Sequence, residues 1–321
     1  MKPGLMYDNP FEYVWSLIVD VTIFMIKSVY FFFETVILTC LPIRFRKLKD
    51  VSGQTVLITG GGGGVGKFLA LNFARLKCKV VIWDVNRDAI TATSDALKDE
   101  GYECFAYVVD ISDKLQVYEV AKKVRREIGK VDILINNAGI VTCRPLLELP
   151  DKAIEATYGV NILSHYWTSK AFLPEMISDK CGHIVTVSSV TGLLGTYACT
   201  DYSATKFACV GFHESLFSEL RAHGHDYIGM TLVCPYYINS GMFAGVKPRL
   251  LPMLEPKYVA DKIVESVLKN EVNCTLPATV RLFLPLKCLL PAKTCWELMM
   301  RIMKGPQSMA LYKGRGKAQT G

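Results

Sequence analysis

A β-branched run that breaks directly into five glycines constrains this chain more than any other feature. Residues 55–59 (Thr-Val-Leu-Ile-Thr) have the composition of a short buried strand, and Gly60-Gly-Gly-Gly-Gly64-Val-Gly66 follows without a polar spacer. Phe68, Leu69, Leu71, Phe73 and Leu76 then recur at helical spacing. Strand, glycine loop and helix in that order make a phosphate site. Glycines let the backbone approach a pyrophosphate, and the helix N-terminus offers free N–H groups and a positive dipole end.

The pattern continues. Val80-Val-Ile-Trp83 reads as a second strand and ends in Asp84, eighteen residues after Gly66. An acid there accepts hydrogen bonds from a ribose 2′-OH and repels a 2′-phosphate, so NAD is expected rather than NADP. Arg87 is the nearby cation that keeps NADP as the lesser alternative. A third strand, 104–109, ends at Asp110, near the expected adenine; a charged helix, 112–129, follows. Further strands at 131–136, 182–187 and 227–234 alternate with helices. That alternation predicts an α/β fold, a doubly wound parallel sheet of Rossmann type in one domain over 50–276, covered by helices on both faces. Ligands bind at the carboxyl ends of such strands, where Gly60, Asp84, Asn136, Ser189 and Pro235 fall.

Four tyrosines have a lysine four residues on: Tyr118, Tyr166, Tyr202 and Tyr258. Only Tyr202 also has a serine thirteen residues upstream, Ser189, at the end of a strand. On a helix Tyr202 and Lys206 point the same way one turn apart. A free phenol has a pKa of about 10, and a nearby ammonium is expected to lower it toward the range of a useful base. A serine hydroxyl then holds an alcohol or carbonyl oxygen while the tyrosine moves its proton. The other three tyrosines are expected to be surface or packing residues.

Taken jointly, Thr59-Gly-x-x-x-Gly64-x-Gly66, Asn136-Asn-Ala-Gly139, Asn161, Ser189 and Tyr202-x-x-x-Lys206 resemble the classical short-chain dehydrogenase/reductase pattern over residues 50–275. The resemblance implies an NAD(P)-dependent oxidoreductase acting on CH–OH groups. Asn161 would anchor a water in a proton relay through Lys206 and the ribose. Ser189 would bind the substrate oxygen, Tyr202 would be the acid/base, and Lys206 would hold the nicotinamide ribose. The cofactor would lie against Gly60, Gly64, Val65, Gly66, Asp84, Asp110, Asn137, Ala138, Gly139, Tyr202, Lys206, Pro235, Ile238 and Ser240. Two positions depart from the pattern: Pro235-Tyr236 stands where Pro-Gly is usual, and Ser240 where a threonine is usual. Ser240 keeps the hydroxyl, while Tyr236, as a substrate contact, and Tyr237 narrow the substrate side.

Trp83-Asp84-Val-Asn86, Lys170-Ala-Phe-Leu-Pro174, Gly211-Phe-His-Glu-Ser215 and the run Cys234 to Phe243 are similar to the retinol dehydrogenase subgroup. That subgroup includes the epidermal retinol dehydrogenase 2 type and its relatives, the lipid-droplet 17β-hydroxysteroid dehydrogenases. This implies a protein of the endoplasmic reticulum membrane or lipid droplet, its catalytic domain facing the cytosol, acting on a lipophilic small molecule. Retinol/retinal is expected first and a 17β-hydroxysteroid or other lipid alcohol second, with a homodimer possible. The rival of another class is a non-catalytic lipid-droplet or membrane scaffold, which needs none of Asn161, Ser189, Tyr202 and Lys206.

The flanks fit a membrane. Residues 1–49 are expected to be an anchor and basic linker. Residues 14–42 are apolar and aromatic-rich, long enough for a bilayer, which takes about 20 residues. Asp20, Lys27 and Glu34 interrupt them every seventh residue. They drift by only about 20° per step around a helix, forming one narrow stripe. Spanning the membrane and lying in its interface both remain open on this pattern. The net charge of +7 gathers at Arg44, Arg46, Lys47 and Lys49, and at Lys304, Lys313, Arg315 and Lys317. Without a groove-reading motif, such clusters beside apolar segments suit anionic headgroups and exclude nucleic acid as the partner. Eleven scattered cysteines carry no Cys-x-x-Cys spacing, so reduced thiols and no metal are expected. Residues 277–304 read as an apolar helical cap in which Trp296, Met299, Met300 and Met303 cluster, either a membrane-dipping lid over an apolar substrate pocket or a cap packed on the core, and 305–321 as a disordered basic tail.

Overall fold

The computed structural model describes residues 9–40, 45–46 and 48–314. The chain divides into two units at Leu48/Lys49. The first contains helix α1, Pro10–Cys40, whose 31 residues run about 45 Å at 1.5 Å each. Its stretch Phe11–Ile37 is long and apolar enough to cross a membrane, with a mean hydropathy of 1.8. Of the acids and lysine on its stripe, Glu34 accepts a hydrogen bond from the Tyr30 hydroxyl at 3.3 Å. Arg44 and Lys47 of the expected basic linker lie outside the described residues.

In the second unit the apolar runs become strands β1 (Thr55–Thr59), β2 (Lys79–Asp84), β3 (Cys104–Val108), β4 (Ile133–Asn136), β5 (Gly182–Val187), β6 (Ile228–Pro235) and β7 (Asn273–Leu276). All seven are parallel, in the order β3-β2-β1-β4-β5-β6-β7. The helices between them are α2 (Gly64–Arg75), α3 (Arg87–Asp99), α4 (Lys114–Glu127), α5 (Asp151–Tyr158), α6 (Ser164–Ser178), α7 (Thr200–Ala222) and α8 (Pro256–Leu268). Strand side chains alternate between the faces, and both faces are buried. Val56 and Ile58 pack with Leu69 and Phe73 of α2 and with Val259 and Ile263 of α8. Leu57 and Trp83 point the other way, toward Val117 of α4 and Phe172 of α6. Because neither face of the central strands β1, β4 and β5 meets water, these read as largely apolar runs. The chain reverses its winding direction between β1 and β4, which opens a crevice at their carboxyl ends.

After β7 come a short 3₁₀ turn (Ala278–Leu282), α9 (Leu286–Leu289), α10 (Ala292–Glu297), a wide π-type turn (Leu298–Ile302) and α11 (Gly305–Met309). Pro285 and Pro291, which lack an N–H, sit at the breaks and keep the pieces short. The tail expected to be disordered is folded as far as residue 314. Ser308 and Met309 are buried, and Met309 joins Cys143, Cys199, Tyr202, Phe243 and Val246 in a small core. Backbone bonds from Lys247 N–H to Ser308 C=O (3.0 Å) and from Lys313 N–H to Ala244 C=O (2.8 Å) hold it there. One buried methionine and these backbone bonds outweigh the tail's basic, glycine-containing composition; residues 315–321 lie outside the described residues.

Candidate active site

One cavity of about 1110 Å³ runs along the carboxyl ends of the strands. It exceeds the roughly 300–1,000 Å³ of an ordinary ligand pocket, leaving room for a dinucleotide and a substrate together. Gly60, Gly64 and Val65, Asp84, Asp110, Asn137 to Gly139, Ser189, Tyr202, Lys206, Pro235, Tyr236, Ile238 and Ser240 all line it. Gly66 and Asn161 do not. Gly66 acts from behind: a Cβ there would lie 2.0 Å from the Gly60 carbonyl oxygen, so the glycine lets α2 start tight against the end of β1. Tyr118, Tyr166 and Tyr258 are absent from the lining, as their missing serine suggests.

Hydrogen bonds fix the cofactor half. Asp84 Oδ2 accepts from Gly62 N–H at 3.0 Å and Oδ1 accepts from Asn86 N–H at 3.0 Å, so the acid also braces the glycine loop. Asn137 Nδ2 donates to the Thr59 carbonyl at 2.9 Å, while the Thr59 hydroxyl accepts from the N–H groups of Asn137 and Ala138. Asp110 Oδ1 accepts from Ser112 N–H and Oγ–H at 2.9 and 2.7 Å. The glycine loop at a helix N-terminus, the acid at the end of β2 and the Asn137–Gly139 turn thus share one crevice, a set that fits a nicotinamide dinucleotide. That group, when bound, accepts or supplies the hydride.

In the chemical half, Ser189 follows β5 by two residues and Tyr202 and Lys206 lie on α7. The Ser189 hydroxyl donates to the Pro235 carbonyl at 3.3 Å and accepts from Thr191 N–H at 3.2 Å. Lys206 Nζ donates to the Val187 carbonyl at 2.9 Å and lies 5.6 Å from the Tyr202 ring centre. Asn161 sits in a wide π-type turn, Gly159–Leu163, between α5 and α6. Such turns recur at functional positions, and no helical periodicity announces them in a sequence. Its side chain accepts from Ile140 N–H (2.8 Å) and donates to Ile140 C=O (2.9 Å) and Thr205 Oγ1 (3.1 Å). It thereby ties the turn after β4 to the helix of Tyr202.

One electrostatic expectation is corrected. Burial pushes the Tyr202 phenol well above its ordinary pKa, and the hydrogen-bonded Ser189 side chain opposes this only in part. Lys206, itself lowered by burial, does not reverse it, because its Nζ is turned to Val187. The chain's own groups therefore hold Tyr202 as a neutral phenol. Behind it, burial first and the Lys206 ammonium second push His165 down to about 3.

Beyond Tyr202 the cavity is apolar. Leu194, Tyr236, Tyr237, Met242, Phe243 and, unforeseen in detail from the sequence, Met299 and Met303 wall it. Tyr237 stacks edge-on against both Tyr236 and Phe243, with ring centres 4.9 and 5.1 Å apart. Its hydroxyl reaches Met309 Sδ at 3.4 Å. The methionine cluster, and a lid over an apolar pocket as one reading of it, were visible in the sequence; which methionines face the cavity was not.

The chain's relatives identify its family. Residues 54–250 match the family model of the short chain dehydrogenases. The chain is 44% identical to human (Homo sapiens) epidermal retinol dehydrogenase 2 over 276 residues, covering 85% of this chain and 88% of that one. Mouse (Mus musculus) estradiol 17-beta-dehydrogenase 11 is 36% identical over 95% of this chain and 100% of its own. Among solved structures, a short chain dehydrogenase/reductase from Burkholderia phymatum in complex with NAD superposes with a TM-score of 0.70 at 26% identity, over 75% of this chain and 95% of that one. A metagenomic short-chain oxidoreductase in complex with NADP gives 0.60 at 26% identity, over 71% of this chain and 97% of that one. A parallel sheet with a dinucleotide crevice and this degree of likeness lead to one conclusion: the chain belongs to the short-chain dehydrogenase/reductase family and is an NAD(P)-dependent oxidoreductase of alcohol groups.

Proposed function

We propose that this protein is a membrane-attached, NAD-preferring dehydrogenase of a lipophilic alcohol, with retinol/retinal the leading substrate pair. The observation that carries the substrate class is the wall beyond Tyr202. Its aromatic rings and methionines present no charged side chain, so a long apolar alcohol buries its chain there without stranding a charge. Retinol is favoured by the 44% identity to a retinol dehydrogenase. A 17β-hydroxysteroid is the second reading, supported by the relative that matches along 95% of the chain. The preference for NAD rests on charge: Asp84, Asp88 and Asp110 line the cavity at its adenosine end, and Arg87 does not line it. Three carboxylates favour ribose hydroxyls and repel a 2′-phosphate. Attachment rests on α1, with Arg46 and Lys49 as the described cations that follow it; the positive-inside pattern favours a cytosolic sheet unit, with endoplasmic reticulum or a lipid droplet as the surface in this reading.

In this reading Ser189 holds the substrate oxygen and Tyr202 exchanges its proton. The neutral phenol is ready to donate to a carbonyl oxygen. Oxidation of an alcohol needs the phenolate, so its rate rises with pH. Lys206 orients the ribose, and Asn161 keeps the turn at Gly139 and helix α7 in register. The test is NAD- and NADP-linked turnover by membranes carrying the protein, with retinol, a 17β-hydroxysteroid and farnesol. Tyr202→Phe should lower turnover roughly 10²–10⁴-fold. Undiminished activity in that variant sinks the mechanism, and no turnover of any of the three alcohols favours a scaffold.

A further inference from the structure

The exposed apolar side chains that follow β7 are not scattered. Leu282, Phe283, Leu289, Trp296, Met300 and Ile302 are each at least half exposed, within one run of short helices. These pieces are fixed to the sheet unit. Lys287 Nζ donates to Leu193 C=O at 2.9 Å, and Arg249 Nη1 donates to the carbonyls of Arg301 and Ile302 at 3.1 and 3.2 Å. The run is also two-sided: Met299 and Met303 line the cavity while Met300 and Ile302 face out. Its charge is one-sided. Residues 278–314 hold six cations (Arg281, Lys287, Lys293, Arg301, Lys304, Lys313) and one acid, Glu297. That acid is paired with Arg301.

We infer that this cap docks on a phospholipid surface bearing anionic headgroups, with Trp296 and its apolar neighbours in the interface and the lysines and arginines on the headgroups. Six large apolar side chains exposed within one 21-residue run are the kind of surface that marks an interaction site. A tryptophan among aliphatic residues and an excess of cations is the composition of an interfacial anchor. A second copy of the chain is a poorer occupant, because a two-fold contact would set the same cations against each other. The docking is independent of α1. Its consequence is that the Met299/Met303 wall lies beside the lipid in which the substrate dissolves, so an apolar alcohol reaches the cavity without crossing water.

The experiment uses the full chain mixed with phosphatidylcholine vesicles, with or without phosphatidylserine, whose acyl chains are brominated to quench tryptophan. The Trp296 signal is the difference between the wild type and Trp296→Phe. It should be quenched in phosphatidylserine vesicles. Each cation removed weakens the contact roughly fivefold, so Lys293→Glu with Lys304→Glu should abolish the quenching while circular dichroism and turnover of a water-soluble alcohol stay unchanged. Vesicles that carry the protein but leave Trp296 unquenched overturn the docking and leave attachment through α1 standing. Protein that stays off the vesicles overturns both. Equal quenching in phosphatidylcholine alone refutes the anionic surface. Shielding of Trp296 from both bromolipid and iodide, with a dimer in sedimentation, assigns the face to a second copy and refutes the docking.

Discussion

Gly245→Ala should unfasten the folded tail without touching a catalytic group. Gly245 has φ +86°, and a Cβ there would lie 1.9 Å from the Leu311 carbonyl oxygen and 3.2 Å from Lys313 Cγ. Ordinary contacts begin near 3.5 Å, so the tail must retreat by about 1.5 Å. The hydrogen bonds from Lys247 to Ser308 and from Lys313 to Ala244, at 3.0 and 2.8 Å, do not survive such a shift. Each is worth about 0.5–1.5 kcal/mol. The left-handed backbone costs an alanine about 1–2 kcal/mol, and re-exposing the buried Met309 costs about 2 kcal/mol. The total of roughly 4–7 kcal/mol corresponds to an increase in local opening of about a thousandfold or more. Tryptic cleavage at Lys304 and Lys313 should accelerate accordingly while the sheet stays folded. The KM for a lipophilic alcohol should rise, with turnover of a small soluble alcohol retained. Gly211→Ala, where a Cβ meets open space, is the control. Cleavage at the wild-type rate with an unchanged KM would refute the close packing of tail on loop.

Two further outcomes follow from charges. Asp84→Asn leaves one of the two N–H groups of Gly62 and Asn86 without its acceptor and removes the carboxylate. Charge-assisted bonds are worth about 1.5–3 kcal/mol, so the NADP/NAD ratio of kcat/KM should rise roughly 10- to 100-fold; an unaltered ratio removes Asp84 as the discriminator. The buried His165, His183 and His213 are held at about 3, 3 and 4, below the ordinary 6.5, chiefly by burial. The unfolded chain therefore takes up protons first as pH falls. Their stability contribution is full above about pH 6.5 and lost progressively toward pH 3, about 2 kcal/mol per histidine by pH 5. Thermal unfolding followed by circular dichroism should show Tm dropping between about pH 7.5 and 5, and a flat Tm across that window contradicts neutral burial.

How much of this was legible in advance depended on the range of the interactions. β1 and β5 fall where apolar runs begin and end, because a strand buried on both faces needs an apolar residue at every position and a glycine or polar residue to stop. The four-residue spacing of Tyr202 and Lys206 is likewise local to one helix. Asn161 was found by its motif, but its wide turn and its bonds to Ile140 and Thr205 were not, since they join segments 21 and 44 residues apart. Lys206 looked like the group that tunes Tyr202, until the fold turned its ammonium to Val187 and buried both.

The sequence by itself determined the alternating α/β sheet, the glycine loop, the acid at the end of β2 and the serine–tyrosine–lysine spacing, residues that the fold brings to one cavity. Each is written in neighbouring residues or in fixed helical and strand periods. Only the tertiary structure decided the apolar wall of the cavity and the upward shift of the tyrosine's pKa. The wall joins Tyr237 to Met309, 72 residues away, and the pKa depends on how completely the whole fold excludes water. Neither distance in sequence nor dielectric is encoded in any single stretch of chain.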